Sequence, residues 1–178
     1  MRKVIFSLAL AVSCFLSGCG YHLTSEMQIP SLIAGKTIAI PMWRNKSYRM
    51  NLETVMTGCL VDEFALRTGG MVVSEEGAAD LLLDGMVVGY SNGGVAFNSF
   101  DIVLEYKMTM TVEAVLSEKK SQKVLWKGTL SASQDYPAVV DLSVPNRIAQ
   151  QQNSEDAALL EISRKIARQL YQNMSEKF

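Results

Sequence analysis

Fifteen residues from Ile102 to Leu116 alternate between two kinds of side chain. Ile102, Leu104, Tyr106, Met108, Met110, Val112, Ala114 and Leu116 fall on one parity, and Val103, Glu105, Lys107, Thr109, Thr111, Glu113 and Val115 on the other. Period two is the signature of a β-strand with one apolar and one mostly polar face. At roughly 3.3 Å per residue the run spans about 50 Å, more than a small domain needs, so one end is expected to project as a hairpin beyond its cover. Glu118 to Lys123 makes a polar turn, after which Val124, Trp126, Leu130 and Ala132 resume the inward face on a return strand.

The apolar face of such a hairpin needs a second layer, and two stretches with helical period can supply it. From about Asn51 to Thr68 the apolar residues are Leu52, Val55, Met56, Cys59, Leu60 and Phe64, with Asn51 able to cap, Glu53 in the first turn and Gly69-Gly70 to close. From about Ser154 to Met174 the stripe is Leu159, Ile162, Ile166, Leu170 and Met174. On its solvated side Glu161 and Lys165 have favourable i,i+4 spacing. Gln134 to Asn153 has no sustained period and reads as a long loop of the kind that is functional or mobile.

The remaining strands come earlier in the chain. Thr37 to Ile40 is short and closed by Pro41, and a loop with Trp43 and Tyr48 follows. Met71 to Ser74 is another short strand. Asp80 to Tyr90 contains Leu81-Leu82-Leu83, apolar on both faces and so suited to the middle of a sheet. Ser91-Asn92-Gly93-Gly94 is expected to break that strand, leaving a loop to Asp101 that carries Phe97, Asn98 and Phe100 and no lysine or arginine. The order is β-α-β-β-β-β-α. It predicts an α+β two-layer sandwich, a four-stranded, mostly antiparallel sheet plus a short extra strand, with two amphipathic helices on one face.

Arg2 and Lys3 precede an apolar run, Val4 to Phe15, too short to span as a transmembrane helix, and Leu16-Ser17-Gly18-Cys19 has the form of a bacterial lipobox. Residues 1–18 are then a signal peptide, residues 19–35 a lipidated tether and residues 36–178 one domain. Cys19 would carry the N-acyl chain and the S-diacylglycerol, enough acyl length for firm anchoring. An ordinary secretory signal with a chance cysteine, or an uncleaved anchor, is the competing reading. Gly20, where an aspartate would favour inner-membrane retention, favours the outer membrane.

Cleavage leaves about 160 of the 178 residues, the size of a single domain with its own core. Taking Arg2 and Lys3 from 17 basic residues leaves 15 against 18 acidic, a net charge of about −3 and no electrostatic case for nucleic acid. Of three cysteines Cys14 leaves with the signal and Cys19 is acylated, so Cys59 stands alone, a buried structural thiol on a helix stripe. The lone histidine, His22, lies three residues from the anchor, which nearly excludes histidine-based catalysis. No zinc spacing or phosphate loop is present, and no cofactor is implied. Asp80 and Asp84 share a strand face, where a strand-edge role is favoured over an acid–base pair. The chain therefore reads as a binding protein and not an enzyme.

Several segments in order carry a resemblance: Cys19-Gly20-Tyr21-His22-Leu23 with Ile29-Pro30, Glu105-Tyr106-Lys107-Met108, Met110-Thr111-Val112 and Ala167-Arg168-Gln169-Leu170. With the matching element order, they make the chain resemble the lipopolysaccharide-assembly lipoprotein family, LptE. The resemblance implies an outer-membrane lipoprotein that plugs the β-barrel of LptD and assists lipopolysaccharide assembly at the surface. It also implies that the loop holding Phe97, Asn98 and Phe100 touches the barrel wall or the lipid path; a loop folded over its own core is the alternative. Members have been linked to binding the phosphorylated headgroup through basic side chains, and the stretch Ser91 to Leu104 has none, so the resemblance does not extend headgroup binding to that loop. The runner-up function is a different envelope lipoprotein acting as a ligand-binding or accessory module, with a concave apolar pocket between helices and sheet.

Overall fold

The computed structural model describes residues 30–141, 143 and 145–175. The expected signal peptide, Cys19, His22 and most of the expected tether lie outside the described residues. The elements are β1 (Ile38–Ala39), β2 (Arg44–Asn45), α1 (Leu52–Thr68), β3 (Val72–Val73), a 3-10 turn (Glu76–Ala78), β4 (Leu81–Phe97), β5 (Val103–Glu118), β6 (Val124–Pro137) and α2 (Arg147–Ser175). β4, β5 and β6 form an antiparallel meander, while β1 and β2 lie parallel to β4 and β3 parallel to β1. The α+β class and the element order are as expected. The sheet has six strands and is mixed, because three two-residue strands join the meander through parallel pairing.

The core is the apolar parity of the meander met by the stripes of both helices. Met108, Met110, Val112, Ala114 and Leu116 of β5, with Leu81 and Leu83 of β4, are wholly buried against Met56, Leu60 and Phe64 of α1 and Ile162, Ile166 and Leu170 of α2. Ile33 is also buried, so packing begins before β1, at a turn in which Ile33 and Ala34 both donate to the Pro30 carbonyl. Two buried hydroxyls are satisfied locally: Thr68 donates to the Phe64 carbonyl at 2.7 Å and Ser163 to that of Leu159 at 2.8 Å.

Several local expectations change. Trp43 stands in the expected loop, between β1 and β2, but is buried there, its backbone N–H donating to Thr57 Oγ1 at 3.0 Å and its indole N–H to the Leu83 carbonyl at 3.3 Å. Asn51 enters α1 with a left-handed φ of 65° and makes no side-chain cap. Gly69 closes the helix at φ 67°. β4 does not break at Ser91–Gly94, because the ladder to β5 continues through Gly93 opposite Lys107 and Gly94 opposite Tyr106. A side chain at Gly94 would meet Phe97 and Val103 at 3.0 Å, so this glycine serves a close approach within the strand and not a turn.

The segment from Gln134 to Asn153 is mostly ordered into elements: β6 runs to Pro137 and α2 starts at Arg147. Pro145 lies just ahead of that helix, where proline costs nothing. The first turns of α2 face no core, so they carry no stripe to read. Glu161 pairs with Arg168 at 3.2 Å, not with Lys165, whose ammonium reaches across to the Gln134 side chain on β6. On the meander, Ile102, Leu104 and Val124 share the expected inward run yet are exposed; near the first two, register shifts interrupt the alternation, and Val103 packs on Gly94 instead.

Candidate partner-binding end of the sheet

The β4–β5 hairpin ends in a tight turn built around Asn98. Its side-chain oxygen accepts from the backbone N–H of Phe100 at 2.9 Å and of Ile102 at 3.0 Å. Its own N–H donates to the Ile102 carbonyl at 3.0 Å, and its carbonyl accepts from Asp101, which sits at φ 57°. Asn98 thus shapes the turn, and the two aromatics differ in what they do. Phe97 covers Gly94 and remains about half exposed, whereas Phe100 is 81% exposed. Val95, Ile102 and Leu104 are further exposed apolar side chains at this end of the hairpin.

Beside the tip lies an open groove of about 470 Å³ between β5, the loop after β6 and the first turns of α2. Ile102, Val103, Tyr106, Val140 and Ile148 form its apolar walls, and Arg147, Gln151 and Glu155 its polar margin. The Gln151 carboxamide accepts the Val139 N–H at 2.8 Å and fixes the loop to the helix. Arg147 is the cation the hairpin loop lacks. Reading the region as loop concealed it, since only the helix brings it to the groove.

Beneath the groove an aromatic and polar layer separates the tip from the dry core. Tyr106 and Tyr136 stack at 5.5 Å, the Asn92 amide donates to the Tyr136 hydroxyl at 2.6 Å, and the Tyr90 hydroxyl donates to Glu155 at 3.4 Å. Arg49 reaches Glu155 at 3.3 Å and Asp156 at 3.6 Å, tying the loop before α1 to α2. Burial pushes the Tyr90 and Tyr136 hydroxyls up, so both stay neutral donors and acceptors at any physiological pH.

The sheet face away from the helices is polar and charge-balanced. Thr109 faces Ser133 with hydroxyls 2.9 Å apart, Thr111 faces Ser131 at 3.0 Å, and Lys107 pairs with Asp135 at 3.5 Å. These are directly opposed residues of the β5–β6 ladder.

The other singled-out groups have structural work. Asp80 accepts from the Thr37 N–H at 3.1 Å and hydroxyl at 3.0 Å, which holds its carboxyl below the ordinary value, and Asp84 pairs with Arg44 at 3.3 Å. The two carboxylates therefore serve β1 and β2 separately. Cys59 is buried, and that burial pushes its thiol up, away from a reactive thiolate. No cluster of metal-ligating side chains exists among the described residues, and none of their helices is long and apolar enough to cross a membrane. The space between helices and sheet is filled by core side chains, and the concavities described are open surface grooves.

The family described as LptE, lipopolysaccharide-assembly, matches residues 35–174. No curated protein sequence matches the chain. Among solved structures, the rare lipoprotein B from Shewanella oneidensis is similar at 14% identity, over 76% of this chain and 92% of that one, with a TM-score of 0.51. A hypothetical protein from Chlamydia trachomatis is similar at 8% identity, over 78% of this chain and 96% of that one, also at 0.51. At these identities both likenesses speak for the fold.

Proposed function

This chain belongs to the lipopolysaccharide-assembly LptE family, and from that membership we propose that it is an outer-membrane lipoprotein that plugs the LptD β-barrel. In that role it supports barrel assembly and the delivery of lipopolysaccharide to the surface. Cys19 carries the acyl chains that hold it to the membrane. Its work is done by surface complementarity, without catalysis.

The observation that carries the reading is the distribution of its surface. A wide outer-membrane barrel has a polar interior. The hydroxyl pairs and the Lys107–Asp135 pair on the outer sheet face suit such a lumen. The apolar tip with Phe100 and the groove beside it supply the drier contact, to the barrel wall or to an acyl chain. Arg147 at the groove margin, a cation beside apolar walls, supports contact with an anionic headgroup there. Depletion of the lipoprotein tests the function: surface lipopolysaccharide should fall and the barrel should accumulate unassembled. Normal levels of both after depletion would refute it.

A further inference from the structure

The chain holds two starts for α2, and the structure uses the earlier one. Apolar period places the helix from about Ser154, where Asn153 or Ser154 can cap and Glu155 and Asp156 fill a first turn that favours acids. The helix instead begins about two turns upstream, at Arg147, with no acidic residue in its first turn. The later start signal lies unused inside a continuous helix. Among the described residues neither the Asn153 nor the Ser154 side chain makes a hydrogen bond there.

The two parts of α2 are held by different means. No side chain from Arg147 to Asn153 is buried, and the first buried ones are Ala158, Leu159 and Ile162. Open grooves flank the upstream turns: the one of about 470 Å³ beside Ile148 and Gln151, and one of about 490 Å³ beside Ala149 and Gln152. Among the described residues their one hydrogen bond outside residues 145–175 is that of the Gln151 carboxamide with the Val139 N–H at 2.8 Å. Just downstream the helix is pinned. Glu155 accepts from the Tyr90 hydroxyl and pairs with Arg49, and Asp156 pairs with Arg49 as well. The loop bearing Arg49 is itself fixed, since the Asn45 amide donates to the Arg49 carbonyl at 2.7 Å and to Glu53 at 2.9 Å.

We propose that α2 has two lengths: the long form observed, and a short form capped at Asn153 or Ser154 from which Arg147 to Gln152 have unwound. Two turns of helix with no buried side chain are marginal in water, so their loss costs little. Shortening brings the Asn153–Ser154 cap into use and moves Glu155 and Asp156 from the helix interior to the first turn, where the free N–H groups favour them; this offsets the bonds given up. Both acids keep Arg49 in either form, so the break falls at a fixed place. Arg147 and Ile148 wall the groove only in the long form, and anything seated against both selects that form. The device belongs to the lipoprotein by itself and does not rest on the barrel reading.

Hydrogen exchange resolved to single amides, on the full lipoprotein in detergent, provides the test. The amides from Gln150 to Ala157 lose their partners together on shortening, so they should exchange at one common rate, roughly tenfold or more faster than those from Leu159 to Leu170. Replacing both cap residues, Asn153→Ala with Ser154→Ala, removes no bond from the long form and should slow that common rate by about tenfold. Gln152→Ala, an exposed change in the same turns, should slow it by at most about twofold. Rates that grade residue by residue from Arg147 would show simple fraying and overturn the proposal. So would upstream amides as protected as those around Ile162, a cap variant that exchanges as fast as wild type, or equal slowing by Gln152→Ala.

Discussion

The indole of Trp43 occupies the place where a side chain at Gly85 would begin: a Cβ there would lie 2.4 Å from its Cε2. One contact thus joins the residue before β2 to the first third of β4, and the Trp43 backbone adds α1 through Thr57. Gly85→Ala should destabilise by about 1–3 kcal/mol through overpacking, and Trp43→Ala by about 3–5 kcal/mol through the cavity it leaves. Because the two share one space, the double variant should cost less than the sum. Urea unfolding of the three proteins checks this, and strict additivity would contradict it.

Acid should weaken the join between β1 and β4. The Thr37 N–H and hydroxyl favour the charged form of Asp80, so its folded pKa lies below its unfolded one. Stability from this group is fully present above the unfolded pKa and is lost as pH falls through the folded pKa. Asp80→Asn should therefore melt lower than wild type at neutral pH, and the gap should close on acidification. Thermal melts across that range decide it; a pH-independent gap would count against the assignment.

At the tip, shape and contact should separate. Phe100→Ser removes an exposed ring and should leave the melting temperature unchanged while lowering recovery of the barrel with the lipoprotein. Asn98→Ala strips the acceptor from two backbone donors and should cost about 1 kcal/mol as well as recovery. Equal recovery for Phe100→Ser and wild type would show that the tip does not make the contact.

The proposed anchoring at Cys19 can be tested separately from the fold. Cys19→Ala should fold with the wild-type melting temperature yet leave the outer-membrane fraction. Membrane fractionation with detection of the protein reads this out, and retention in the outer membrane would contradict acylation at Cys19.

The parts legible in the sequence were those in which a repeating environment imposes a period. The alternation of β5 and the stripe of α1 record contact with one core, and both elements lie close to where their patterns place them. Residues outside that contact gave misleading local signals. Ser91 to Gly94 looks like a turn, but the β5 ladder holds it extended. The first turns of α2 lack a stripe because they border the open groove and no core packs on them, which hid Arg147 and Ile148. Trp43 gave no periodic signal either; only the absent side chain at Gly85, far along the chain, explains its burial. The exposure of Phe97 and Phe100 is legible in their isolation among small and polar residues, whereas the part Asn98 plays in the turn needed the turn geometry.

The most direct test is to extract the native lipoprotein from envelopes in mild detergent and ask what accompanies it. The account predicts a large outer-membrane β-barrel, identified as LptD, in stoichiometric amount with the wild type and reduced with Phe100→Ser. Recovery of the intact lipoprotein with no barrel would contradict it.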